Sequence, residues 1–321
     1  MPHQRKLVSS PFRGTQIVYT LGERTDCPPA VRPFSVGSIL STYVHVLAYI
    51  SPILPSGALD MQAESRSLSF NESSLLDLFG QMWRSNWAES EDCAPFDVTF
   101  QAAERREAKL EGRLNPGTFY RSYAACMTKK TKGSLMHVPQ AQHLMSPLYL
   151  SSRSMGSFDY TSLQPPPAFL FRSDSGNIPA VERNAFDQDG PSGRRCPSVG
   201  EEHWANDGVV PLFSQWHPLA CGETRCKHTT LSLDNPGFSD TASTVPGKFK
   251  VTNACLEEPE SGIWHVHHID SANHLSIVPF WFGTERQQTF WKDLGYWLRA
   301  IEIQRSRQEN FYETRVLVPP L

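Results

Sequence analysis

Trp204-Ala205-Asn206-Asp207-Gly208-Val209-Val210 is the stretch on which the reading of this chain turns, and Gly262-Ile263-Trp264 and Asn273-His274-Leu275 complete it downstream. An Asn-Asp-Gly sequence after an apolar segment is first of all a turn, because these residues tolerate the backbone conformations that tight turns demand. A His standing ahead of an apolar run is, taken alone, most often structural. Together the two have a sharper meaning. An imidazole takes the proton from a nucleophile, while a carboxylate fixes its tautomer and stabilises the imidazolium that forms. Acid before base is also the chain order in one of the known catalytic arrangements. Asp207 and His274 are the candidates for these two roles.

These motifs resemble the C-terminal third of the triacylglycerol lipases of the thermoalkaliphilic bacillus and staphylococcal type, and of fungal relatives. Those lipases carry an Asn-Asp-Gly-hydrophobic-Val motif around the catalytic Asp. They also carry a Gly-x-Trp motif ahead of a His-Leu pair, at the ten-residue separation of Trp264 from His274. The resemblance implies an α/β-hydrolase fold with three layers, a mainly parallel sheet and a helical lid, with residues 1–321 as a single domain. It makes Asp207 the triad acid and His274 the triad base of a serine ester hydrolase acting on acylglycerols or other lipid esters. No cofactor is required for that chemistry.

The nucleophile is the difficulty. No Gly-x-Ser-x-Gly occurs in the sequence. The nearest approach, Ser152-Arg153-Ser154-Met155-Gly156, lacks the first Gly, with no strong strand before it and no amphipathic helix after it. It reads as a polar loop. Ser10-Pro11-Phe12-Arg13-Gly14-Thr15 resembles the Thr-Pro-His-x-Gly-Thr that ends the strand after the nucleophile helix in these lipases, with Phe12 in place of His. The expectation is therefore an N-terminally incomplete hydrolase that opens just downstream of the nucleophile elbow and is inactive as it stands. The alternative is a non-catalytic, lipase-like protein that binds lipid or a partner.

Bulk composition excludes other classes. A net charge of −3 and a pI near 6.4 give no electrostatic footprint for nucleic acid. A hydrophobic content of 39% with 20% charged residues suits a soluble globular protein, and 25 prolines imply long irregular connections. The cysteines Cys27, Cys93, Cys126, Cys196, Cys221, Cys226 and Cys255 are scattered. Cys221 and Cys226 are close enough in sequence to bridge a short loop, and the compartment stays open. The resemblance leans towards an extracellular enzyme, but no apolar leader follows Met1–Ser10.

Along the chain, Val36–Leu54 is the most apolar stretch and falls where the resemblance places the lid, within residues 30–70. Interleaved Ser38, Ser41, Thr42, His45, Ser51 and Pro52 argue against a transmembrane span and for a surface that meets lipid when open. Leu75, Leu76, Leu78, Phe79, Met82 and Trp83 predict an amphipathic helix over 74–84, capped by Asn71 or Ser73. Asp92 matches one of two Asp and two His ligands of a structural zinc in those lipases; the other three fall outside the matched region, and a tetrahedral site needs all four. The alternative for Asp92 is a solvated loop acid. Asp97 is expected to cap the next helix, over 100–114, and 118–127 to form an aromatic strand.

Residues 137–202 read as loops, and 212–260 as an insertion at the surface. The family's calcium site is expected to be absent, because Ser276 replaces a Glu ligand and Trp281 stands near the place of another acidic one. His265-Val266-His267-His268-Ile269-Asp270 is read as a polar loop over the site, with a metal cluster serving a metal-dependent hydrolase as the weaker option. Phe290, Leu294, Trp297, Leu298 and Ile301 mark the closing helix over 288–303, followed by an irregular tail.

Overall fold

Phe119–Cys126 is the strand around which the molecule is built, and every one of its residues is buried. A strand covered on both faces needs neighbours on both edges and layers above and below, which is the setting of a parallel sheet. The computed structural model describes residues 4–8, 10–53, 69–85, 88–171, 199–220, 223–231, 252–253, 258–276 and 283–316. The strands are β1 (Gln4–Val8), β2 (Phe119–Cys126), β3 (Thr128–Lys130), β4 (His137–Pro139), β5 (Cys226–Thr230), β6 (Thr252–Asn253) and β7 (Trp264–Asp270). The helices are α1 (Ile17–Leu21), α2 (Val36–Ile50), α3 (Leu75–Trp83), α4 (Ala94–Asp97), α5 (Phe100–Ala108), α6 (Tyr149–Met155) and α7 (Glu285–Val316).

Five strands form a sheet in the order β1-β2-β7-β5-β6, with every pairing parallel. The register sets Tyr120 beside Trp264, whose rings stack at 4.9 Å, and Tyr123 beside His267. Alternation along the strands then sorts side chains to two faces. Tyr120, Ala124, Cys126, Trp264 and Val266 face a layer holding Val18 and Tyr19 of α1 and Phe100 of α5. Tyr123, Ala125 and Ile269 face Phe290 and Leu294 of α7. The result is a helix–sheet–helix sandwich. β3 and β4 form a small antiparallel hairpin at the carboxyl end of β2.

Several sequence expectations are corrected here. His265–Asp270 is not a polar loop but the buried central strand β7. His265 and His267 point to the α7 side and His268 to the other, so the cluster is divided by the pleat. Within 212–260, Cys226–Thr230 pairs with β7 inside the sheet; residues 232–251 of the expected insertion lie outside the described residues. The cap of α3 is Ser74 rather than Asn71 or Ser73, because Ser74 and Asp77 make a reciprocal capping box. Asp97 closes α4, and Thr99 caps α5 by accepting from the Ala102 N–H; α5 itself ends at Ala108. Residues 137–171 hold β4 and α6 as well as loops. The tail past Ile303 continues as helix to Val316. The short-loop bridge expected between Cys221 and Cys226 involves a residue outside the described ones. Cys196, Cys221 and Cys255 lie outside the described residues.

In the region expected to form a lid, α2 and α3 pack on each other and present apolar side chains outward. Ile39, Leu40 and Tyr43 of α2 are exposed, as are Leu75, Leu76 and Phe79 of α3; Trp83 is 84% exposed. The run Val36–Ile53 is the one helix among the described residues with the length and apolarity to span a membrane. Its buried positions include His45, bonded at 2.6 Å to Ser85. Residues 54–68 of the predicted lid lie outside the described residues.

Candidate active site

Asp207 sits in the turn that follows Trp204, and the turn's own residues hold it. Asn206 accepts from the Gly208 N–H and donates through its amide to the carbonyls of Trp204 and Ser152. Its backbone carbonyl takes the Met127 N–H at 2.9 Å, tying the turn to the carboxyl end of β2. Gly208 has φ of +95°, and a Cβ there would come within 2.7 Å of Leu148, so only glycine closes this turn. Gln215 braces the other side. Its buried amide bonds both backbone groups of Ala125 and donates to the carbonyl of Val210. Thr15 donates to the carbonyl of Val209, so the Ser10–Thr15 loop, whose Phe12 packs edge-on against Trp264, supports the same turn.

The Asp207 carboxylate is wholly buried. Its Oδ1 accepts from the N–H groups of Val209 at 3.0 Å and Val210 at 2.8 Å. Its Oδ2 accepts from Nδ1 of His274 at 2.8 Å. The backbone repeats the connection, since the His274 N–H donates to the Asp207 carbonyl at 2.9 Å. His274 lies in the turn after β7. Asn273 accepts from the Leu275 N–H, and Ser276 Oγ accepts from the Asn273 N–H at 2.9 Å. The serine at the expected calcium position thus shapes the turn that carries the histidine.

Two opposed effects act on the His274 ring. Burial favours the neutral imidazole, whereas the hydrogen bond it donates to Asp207 and the negative charge of that carboxylate favour the imidazolium. The balance lies above the usual histidine range. With Nδ1 donating to the carboxylate, Nε2 is the atom left to take a proton from a neighbouring hydroxyl. The imidazole ring is partly exposed, so such a group has access to it. A carboxylate–imidazole pair of this geometry is chemically able to act as the acid–base half of a nucleophilic mechanism.

The other sequence candidates are placed elsewhere. Ser154 lies inside α6, with its hydroxyl 3.4 Å from that of Thr20. Helical backbone at that position is unlike the strained strand-to-helix elbow a serine nucleophile uses. Asp92 is exposed in the loop before α4. Among the described residues no two further metal-ligating side chains gather with it, so the donors there do not by themselves make a zinc site. His267 bonds Thr229 at 2.8 Å and His268 bonds His228 at 2.9 Å, each as a partner between strands. Burial holds both well below the usual histidine range and keeps them neutral. The roles of Gln215, Asn206 and Ser276 escaped sequence reasoning; only Asn206 carried a signal, as the neighbour of Asp207.

No family model matches this sequence, and no curated protein matches it. Solved structures do. The Staphylococcus hyicus lipase is similar at a TM-score of 0.55 and 17% identity, over 94% of this chain and 57% of the lipase chain. EstA from Clostridium botulinum is similar at a TM-score of 0.51 and 17% identity, over 93% of this chain and 53% of its own. The chain therefore spans a little over half the length of the structures it resembles. At this identity the likeness is one of fold, and with the parallel sheet between helical layers it establishes an α/β-hydrolase-like architecture for this chain.

Proposed function

We propose that this chain carries the acid–base pair of a lipase- or esterase-type carboxylic-ester hydrolase. The observation that supports this most directly is the Asp207–His274 hydrogen bond, with its second link through the backbone. In the proposed reaction His274 Nε2 takes the proton from a serine hydroxyl as its oxygen attacks the ester carbonyl. It then returns that proton to the departing alkoxide, and water repeats the sequence on the acyl-enzyme. Asp207 holds the ring and stabilises its charge. No Gly-x-Ser-x-Gly occurs in the sequence, so we assign this chain the pair and not the serine. The exposed apolar faces of α2 and α3 favour a lipid ester, such as an acylglycerol, met at an interface. Asp92 enters only as one ligand of a structural zinc whose other three donors would fall outside the region matched here.

The test is ester hydrolysis by the complete open reading frame that contains this sequence. Turnover of a medium-chain ester should fall by about 10³-fold or more in His274→Ala. Undiminished turnover in that variant would sink the reading. Labelling of the 321-residue chain with a serine-directed fluorophosphonate tests the nucleophile separately: stoichiometric labelling would place a reactive serine within this sequence.

One observation favours a second reading. An outward apolar face on α2 and α3, in a sequence without an elbow, is what a lipid-binding protein without catalysis would also present. Flotation with vesicles together with no hydrolysis in either form would select it.

A further inference from the structure

At the end of the sheet opposite Asp207 and His274, β5 begins at Cys226 beside Trp264, the first residue of β7. Cys226 and His228 alternate along β5 and so share the face that points away from α7. The loop from Trp216 to Leu219 crosses that face and adds His217. One ligand atom from each of His217, Cys226 and His228 lies within 4.8 Å of the other two. We propose that these three side chains form a structural zinc site joining the 216–219 loop to the sheet.

The surroundings prepare both imidazoles for such a role. His217 Nδ1 lies 2.6 Å from the Leu219 carbonyl, an acceptor only, so Nδ1 carries the proton and Nε2 the lone pair. His228 Nδ1 lies 2.9 Å from Nε2 of His268. When that Nδ1 donates, His228 also presents its Nε2. Metal-bound histidines ordinarily have their second nitrogen held by such a partner, which fixes the tautomer and the ring plane. Trp216 packs edge-on against His228 at 5.1 Å and limits the freedom of that ring. His217 and His228 are buried, while Cys226 is only partly buried and gives an ion a way in.

The donor set decides the metal. One thiolate and two imidazoles suit zinc and other late first-row ions, and not magnesium or calcium. Tetrahedral bonds of about 2.0–2.3 Å set donors roughly 3.4–3.6 Å apart, so rotations that shift the donor atoms by about an ångström bring these three into range. Binding forms the zinc–sulfur bond and releases the Cys226 thiol proton to solvent. The fourth position is left for water or a further donor. Lying at the opposite end of the strands from Asp207 and His274, the ion would act on stability and not on the ester reaction. The proposal does not depend on the ester-hydrolase reading.

The test uses the 321-residue chain, stripped of metal and titrated with Zn²⁺ and with Co²⁺. One equivalent should bind, raise the melting temperature and, with cobalt, give a thiolate-to-metal charge-transfer band. Cys226→Ser should abolish that band and His217→Gln should weaken zinc binding by at least about 10–100-fold, the loss seen when even an outer-shell partner is removed. Cys27→Ser, at an exposed cysteine, should change neither. Should the first two variants fail to fold, X-ray absorption on the unmodified zinc-loaded chain decides, with one sulfur and two imidazole nitrogens expected around the metal. A sulfur-free shell, no binding at micromolar zinc, or binding unaltered in Cys226→Ser and His217→Gln would overturn the proposal.

Discussion

Asp207 and His274 are joined twice, through Oδ2 and Nδ1 at 2.8 Å and through the Asp207 carbonyl and the His274 N–H at 2.9 Å. The second bond matters because it positions the two turns independently of the side chains. Asp207→Asn should therefore leave the fold intact while removing the charge and the tautomer control. We expect a fall of about 10⁴-fold in turnover for the complete open reading frame, with a melting temperature near that of the parent. A loss of turnover only in proportion to a loss of folded protein would mean that Asp207 acts structurally.

The pH dependence follows from the direction of the His274 shift. Burial lowers its affinity for the proton, the Asp207 bond and charge raise it, and the net value lies above 6.5. A group raised in the folded state adds stability that is fully present below its unfolded value and is lost as pH rises through the folded one. Ester hydrolysis needs the neutral ring and should run the other way, rising with pH through the same folded value. NMR titration of the His274 ring should give a value above 6.5, and Asp207→Asn should lower it. An unchanged titration in that variant would show that the pair is not coupled.

Glu23 is buried, with Oε1 lacking a hydrogen-bond partner among the described residues. Burial first, and the nearby Glu89 charge second, push its carboxyl up to about 7 from 4.5. The folded state then holds a proton that the unfolded state has given up, so stability falls as pH rises from about 4.5 to about 7. The contribution is about 3 kcal/mol at most. Glu23→Gln should flatten this part of the stability–pH profile, measured by denaturant unfolding at pH values across that window. A parallel profile in the variant would assign the slope to other groups.

Arg121, 2% exposed, carries the junction between sheet and closing helix. It pairs with Asp293 of α7 and lies over the rings of Tyr123 and Trp297, while Tyr123 donates to the same carboxylate at 3.1 Å. Removing one partner leaves a buried charge unpaired, so Asp293→Ala should cost about 3–5 kcal/mol in guanidinium unfolding. Replacing both by apolar residues, as in Arg121→Met with Asp293→Leu, should cost much less than either change alone. Additive losses would show that the ion pair is not the dominant interaction.

The outward face of α2 and α3 gives a separate expectation. Leu76 is 82% exposed and touches little that folding needs, so Leu76→Asp with Trp83→Ser should alter stability by no more than about 0.5 kcal/mol. Binding to vesicles should drop by about tenfold or more, since two large apolar side chains contribute on the order of 3 kcal/mol when buried in lipid. Equal flotation of parent and variant would remove this face as a lipid contact.

Local sequence specified those features that depend on neighbours along the chain. The Asn206-Asp207-Gly208 turn, the amphipathic pattern of α3, the aromatic strand β2 and the apolar face of α7 could each be read from spacing, because each rests on turn chemistry or periodicity. The roles of Asp207 and His274 were proposed from motif and chain order. Their meeting at 2.8 Å depends on two turns set at the carboxyl ends of β2 and β7, which only strand pairing brings together. The same holds for the misread histidines. His265, His267 and His268 looked like a polar loop because a polar run predicts exposure, yet β7 is central, and each ring has one nitrogen paired with a partner on another element or before the strand. Cys226 and His228 fall in a stretch that reads as a surface insertion, and His217 reaches them only because its loop folds back across β5. Residues within a few positions of one another encode their own geometry; contacts between distant segments exist only after the sheet has fixed its order and register.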